Sequence, residues 1–460
     1  MRYKFFNFLF LLSFTFSQSF FYKTIGNESV SKSPQSLGLG NNIGLVATDG
    51  FALLGNPSNI INENKTLTFN LSSNLENVNE RRSFILKDSF GDFLTDADYV
   101  VNSNRINNFL GGLTFNKSVN NYIYTIGLSY SPITDFSSNY REEVRGKVNC
   151  EDGVPCTRDI LSGYHDFKTD GVINGLSIGG ATQITTSMGN LKFGISLLKT
   201  AESKINYAFS VDTLHNEWSN LSPIQSEIGN VKVGSNSSFN FGFVFESITG
   251  LDLGLFYQNP IELKAEGSYP FGFINSESGL IEYNFMCNES ICNEDTSSVA
   301  LLSMTPKFQL PKKSGISIGY TPNSFQKTSV YFEYVKNEYN APMFTIYSFE
   351  DTTISLNPTY TLNNYNELKF GVEYTTVSNS IIRTGFSYNE SPIPGINSQS
   401  KITFGYGKNI EKINFNVGVS FHQNFYNYPD IFPVENDPRP DYDNVKESIF
   451  NISTSIQYSF

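Results

Sequence analysis

Only a few residues in this chain could carry chemistry, and their spacing limits what that chemistry could be. There are three histidines in 460 residues: His165, His215 and His422. His422 sits at the outer end of an alternating segment, where a lipase-type mechanism would need a Ser beside it on a neighbouring strand. The plainer reading makes it an interfacial residue beside Phe421, Phe425 and Tyr426 in an aromatic girdle. The Gly-x-Ser-x-Gly spellings at Gly175–Gly179 and Gly315–Gly319 fall inside alternating segments and not at a strand-to-helix elbow, and no phosphate loop or cluster of metal ligands accompanies His422, so the sequence indicates neither an enzyme nor a cofactor or resident metal. Glu142, Glu143, Asp437, Asp441 and Asp443 could hold surface calcium, but solvated loops account for them more simply. The four cysteines form two close pairs, Cys150–Cys156 and Cys287–Cys292. With no His or third Cys nearby, each pair falls short of a zinc site and reads as a loop disulfide of an oxidising compartment.

The elements that must position these residues follow from composition. Aromatic residues make up 15% of the chain and charged residues only 17%. Rings alternating with small polar residues suit a sheet that faces lipid. The formal charge of -12 excludes a nucleic-acid partner, which would require a basic surface. It is compatible with an anionic, calcium-rich cell surface. Residues 1–19 read as a secretory signal peptide: Arg2 and Lys4 precede an apolar run from Phe5 to Phe16, with Ser17 or Ser19 before the cleavage site. No apolar run after it is long enough for a membrane helix.

From residue 65 to residue 460 the chain alternates with period two. Ile413, Phe415, Val417, Val419 and Phe421 interleave with Asn414, Asn416, Gly418 and Ser420. The same pattern runs through Phe239 to Phe245, through Leu368 to Tyr374, and through the last segment to Phe460. About fourteen such segments can be drawn, an even number, with short connections on one side and mostly long ones on the other, including 77–104, 132–170, 204–235 and 266–300. The expectation is an all-β fold: a transmembrane antiparallel β-barrel in the outer membrane of a Gram-negative bacterium. Pro306 and Pro311 interrupt the eighth segment. Lys192, Glu246, Glu333, Lys369, Glu373, Arg383 and Lys401 are expected to face inward. Tyr458 and Phe460 end the last strand as an aromatic assembly signal for the barrel-assembly machinery.

Residues 20–64 do not alternate. Their glycines and Asn56-Pro57 prevent any long helix, while Leu37, Leu39, Ile43, Phe51 and Leu53 give them more apolar surface than a tail requires. A compact hatch packed inside the lumen is expected. Phe20, Phe21 and Tyr22 either line a ligand pocket or are unstructured residues that follow the cleavage site.

The run from Ser36-Leu37-Gly38 through Gly40 and Asp49-Gly50-Phe51 to Asn56-Pro57-Ser58 resembles the hatch of the FadL family of outer-membrane transporters for long-chain fatty acids and other hydrophobic compounds. The similarity continues through Gly254 to Pro260, Leu310-Pro311, Gly315 to Tyr320, Phe370 to Tyr374 and Arg383 to Tyr388, which resemble successive barrel strands of that family. Ser58 stands where the family usually has Ala. The resemblance implies a fourteen-stranded barrel with its lumen plugged by the hatch, surrounded by outer-membrane lipid and lipopolysaccharide. It also implies passive uptake of a hydrophobic small molecule, with lateral exit beside the third strand, here near Gly127 and Pro132. Two other readings are a FadL-like barrel that acts as a scaffold or shuttle in protein secretion, and a polar-solute porin.

Overall fold

The computed structural model describes residues 26–28, 33–47, 49–62, 65–146, 160–214, 226–269, 273–274, 281–282, 302–304, 307–322, 327–339, 362–393, 396–429 and 442–460. The signal segment, Phe20, Phe21, Tyr22, His215, Asp437, Asp441 and the four cysteines lie outside these residues. Fourteen antiparallel strands close into one barrel: β1 Leu67–Lys87, β2 Phe93–Val119, β3 Tyr122–Asp135, β4 Val172–Thr186, β5 Gly189–Thr200, β6 Ser237–Ser247, β7 Leu251–Gln258, β8 Lys312–Tyr320, β9 Lys327–Glu338, β10 Tyr365–Thr375, β11 Ser380–Asn389, β12 Gln399–Ile410, β13 Ile413–Pro429 and β14 Tyr442–Ser459. Each strand pairs with its sequence neighbours, and β1 closes the ring on β14 from Thr68–Ser459 to Ser83–Asn444. Among the described residues no helix is long and apolar enough to cross a membrane.

Alternation sets the wall. Phe69, Ile126, Ile195, Phe241, Leu255, Ile318, Phe370, Phe404 and Ile456 stand exposed on the outside, where lipid covers them, and Asn70, Thr114, Ser196, Ser317 and Ser453 are buried inside. One edge of the barrel is joined by tight turns, and the positive φ of Asn120 and Gly250 falls in two of them. The expected inward charges do face the lumen, mostly in pairs: Lys192 with Glu246, Arg383 with Glu373, and Lys369 with Glu333.

Part of the expected long-loop region is instead a second sheet. Strands Ser138–Gly146, Ile160–Asp170, Ser203–Thr213, Ser226–Val233 and Ile261–Tyr269 pair in that spatial neighbourhood as an outer rim, with Lys307–Leu310 paired to Ile261–Lys264. These strands continue β3 to β8 past short breaks. Pro311, which has no N–H to donate, marks the break before β8. Segment 77–104 is likewise not a loop, because β1 and β2 stay paired as far as Lys87–Phe93. These segments were misread because their alternation is short and interrupted by charges.

Candidate functional site

The rim reverses the polarity of the wall. In β5 the even residues Lys192, Ser196 and Thr200 are buried and Phe193 and Ile195 face lipid. After the break at Ala201–Glu202 the apolar residues are still odd-numbered, yet Ile205, Tyr207 and Phe209 are now buried. The same reversal separates Val231 and Val233 from Phe239 and Phe241, Leu263 from Leu255, and Tyr140 from Tyr130. Beyond the membrane the outer face meets water, so an apolar row is stable only when turned inward. The buried rows form one apolar core with Tyr99, Val100, Ile393, Tyr426 and Val445 of the facing wall, and that core reaches Leu54 of the hatch.

The hatch seats below this core. Ser33 caps a short helix, Pro34–Gly38, and Asp49 and Asn56 cap two 3-10 turns, Gly50–Leu54 and Pro57–Ile60. Asp49 accepts the Phe51 N–H at 3.0 Å, and burial raises its carboxyl well above its ordinary value, to about 7. Asn56 holds the turn together: its Oδ1 accepts the Ser58 N–H and O–H, and its Nδ2 donates to the Gly44 carbonyl at 2.7 Å. Gly38, Gly40, Asp49, Phe51, Asn56, Pro57 and Ser58 are all buried.

The wall is cut to receive the hatch. A Cβ at Gly194 of β5 would collide with the backbone of Pro57 and Ser58, and one at Gly242 of β6 with Asn56 Oδ1. Side chains then tie the hatch down: Ser196 and Asn240 donate to the Leu53 carbonyl at 2.7 and 3.0 Å, Gln258 to the Leu54 carbonyl at 2.8 Å, and Thr403 accepts the Gly40 N–H at 2.9 Å.

Above the hatch lies a cavity of about 170 Å³ whose lining includes Ile43, Lys313, Glu367, Lys369, Lys401 and Tyr426. That is close to the size of an engineered cavity that accepts benzene, about 150 Å³. Lys313 pairs with Glu28 and Lys369 with Glu367, leaving Lys401 as a lining cation with no ion pair among the described residues.

One seam of the wall loses its backbone ladder partway. The β2–β3 ladder runs from Val119–Tyr122 to Gly111–Tyr130 and stops there. Beyond it Asn108 reaches Asp135 at 3.3 Å, and Asn104 reaches the Asn139 carbonyl at 2.8 Å. Pro132 lies at a register shift of β3 against β4, and the edge of β3 at Thr134 and Asp135 is taken by the two-residue strand Asn27–Glu28. Gly127 sits lower, in unbroken ladders on both sides, with Leu53 of the hatch against it.

The structure corrects three sequence readings. His422 is 5% exposed and faces the lumen, not the girdle, although its neighbours Phe421 and Phe425 do face lipid. Glu142 is not a solvated loop residue: it is 3% exposed and accepts from Tyr140 at 2.8 Å and pairs with His165 Nδ1 at 3.0 Å. Asp443 is also buried, against Tyr99. Their parity along the strands could have signalled this, since each falls on the inward row. At the C-terminus the rings of Tyr458 and Phe460 meet edge to face at 4.7 Å, and the Phe460 N–H donates to Leu67.

No protein-family model matches the chain, and no curated protein matches it in sequence. Solved structures do. A FadL homologue from Pseudomonas aeruginosa aligns over 95% of this chain and 100% of its own, with 13% identity and a TM-score of 0.55. The toluene transporter TodX of P. putida aligns over 94% and 99%, with 13% identity and a TM-score of 0.55. The toluene transporter TbuX of Ralstonia pickettii aligns over 94% and 99%, with 13% identity and a TM-score of 0.52. At this identity the likeness establishes a shared fold.

Proposed function

From the FadL-type fold, we propose that this chain is an outer-membrane channel for passive uptake of a hydrophobic small molecule, an amphiphile such as a fatty acid. The observation that carries the reading is the apolar core that runs from the rim to Leu54 of the hatch, directly over the cavity. An alkyl chain entering that core leaves water at a gain of about 0.8 kcal/mol per methylene. A polar-solute porin has no use for a dry apolar mouth. The polar end of an amphiphile meets the cavity beneath, where Lys401 offers a carboxylate an ammonium with no ion pair among the described residues, beside the paired Lys313 and Lys369 and the carboxylates of Glu390 and Glu447.

Exit is lateral in this reading. The β2–β3 seam, with Leu110, Ile106 and Ile133 buried on its inner side and Phe109 exposed to the outside, gives an alkyl chain an apolar way into the bilayer. Asn27–Glu28 acts as the strap across it, held by the Glu28–Lys313 ion pair. The hatch blocks the straight path to the periplasm.

Cells that carry the protein are expected to accumulate labelled dodecanoate faster than cells that lack it, and Lys401→Met to lower the rate several-fold. Equal accumulation in the two strains would sink the proposal.

A further inference from the structure

We propose that the backbone N–H pair of Ile43 and Gly44, together with Lys369, is a carboxylate subsite of the cavity, and that Glu333 fills it at rest as an internal competitor of the ligand. This inference rests on the reading of the ligand as a carboxylate amphiphile. Glu333 Oε2 accepts the Gly44 N–H at 2.7 Å and the Ile43 N–H at 3.0 Å, while Ser317 Oγ donates to it at 2.8 Å. Its Oε1 lies 3.1 Å from Lys369 Nζ. Two successive backbone N–H groups converging on one carboxylate make an anion-binding concavity, and a nearby ammonium strengthens it.

Two features open this concavity to the cavity. Ile43, whose N–H is half of the pair, also lines the cavity, and so does Lys369. Lys369 is already shared, because it holds Glu367 at 2.9 Å as well as Glu333. A carboxylate arriving from the cavity meets the ammonium that Glu333 uses, beside Ile43, and reaches the N–H pair by displacing the Glu333 carboxylate. Only one carboxylate can occupy them. When the ligand wins, the hatch loses its carboxylate tie to β9, so binding and loosening of the hatch draw on one set of hydrogen bonds.

A merely structural Glu333 predicts that its loss weakens binding; a competitor predicts the opposite sign. Full-length protein in nanodiscs is titrated with dodecanoate and with uncharged dodecanol. Glu333→Gln is expected to bind dodecanoate roughly tenfold tighter, as a shift of about 1.4 kcal/mol produces, and dodecanol with unchanged affinity. Ser317→Ala, which removes one donor from Glu333 and leaves the wall intact, is expected to move dodecanoate affinity the same way by a smaller factor. Lys369→Gln is expected to weaken dodecanoate alone. If the wild type binds both probes while Glu333→Gln and Ser317→Ala leave dodecanoate unchanged or weaker, the competitor proposal is overturned and the uptake reading stands. A wild type that binds neither probe overturns both.

Discussion

The membrane belt and the outer rim are built from the same sequence pattern and bury opposite halves of it. On β6, Phe241 is 47% exposed to the surroundings; on the rim strand Ser203–Thr213, Phe209 is fully buried. Both are odd-numbered aromatic residues in alternating strands. The difference lies in the phase outside the wall: lipid accepts a ring at no cost, and water does not. Each short break between belt and rim reverses the faces without changing the parity of the apolar residues. The reversal gives a tube lined by polar side chains a rim whose inward rows are apolar and packed together.

The largest effect is expected from adding one residue at a break. Inserting one residue between Glu202 and Ser203 keeps the break and shifts the strand Ser203–Thr213 by one, which should turn Ile205, Tyr207 and Phe209 toward water. Losing the burial of three such side chains costs about 1.5–3 kcal/mol each. Limited proteolysis should then cut the rim while the barrel keeps its heat-modifiable gel mobility. A rim as resistant as the wild type's would mean that the break does not set the faces.

A charge on each side of the break sharpens the contrast. Phe241→Arg should cost about 2–4 kcal/mol at the bilayer midplane. Its effect should appear in the folding yield in lipid, whereas Phe209→Arg should leave insertion intact and abolish uptake. Next in size, Gly194→Val forces the Pro57–Ser58 turn off the wall, at about 1–3 kcal/mol for overpacking. The expected readout is an ion conductance in planar bilayers that the wild type lacks.

The smallest effect is a pH dependence confined to the hatch. Burial raises the Asp49 carboxyl to about 7, so the seated hatch keeps a proton that the released hatch gives up. Seating is therefore strongest in acid, weakens as pH rises from about 4 to about 7, and is level above that. Asp49→Asn preserves the cap on Phe51 and should flatten the profile. Hydrogen exchange of the Gly50–Leu54 turn against pH measures both.

The belt was legible in the sequence because lipid demands a long, regular alternation, and the strands drawn through Phe239 to Phe245 or Ile413 to Phe421 match the ladders closely. Between residues 33 and 62 the tight turns follow from Asn56-Pro57 and the glycines, and Leu37, Leu39 and Leu53 are buried there. The rim was not. Its strands alternate as the belt's do, but charges such as Lys204, Asp212, Lys232 and Glu262 interrupt them, and nothing in the local pattern tells which phase lies outside. Glu142, on a rim strand, is misread for that reason, whereas His422 lies on the belt strand β13, where counting on from the outward Phe421 gives its inward face. The tie of Glu333 to Ile43 and Gly44 spans about 290 residues of chain, beyond the reach of any local reading.

On the proposed uptake function, the alkyl chain of an amphiphile occupies the lumen within the rim. Mass spectrometry of the molecules retained after gentle detergent extraction tests it most directly. A stoichiometric amphiphile with an alkyl chain is expected from the wild type and none from Phe209→Arg. An empty lumen with a protein partner bound at unit stoichiometry would contradict it.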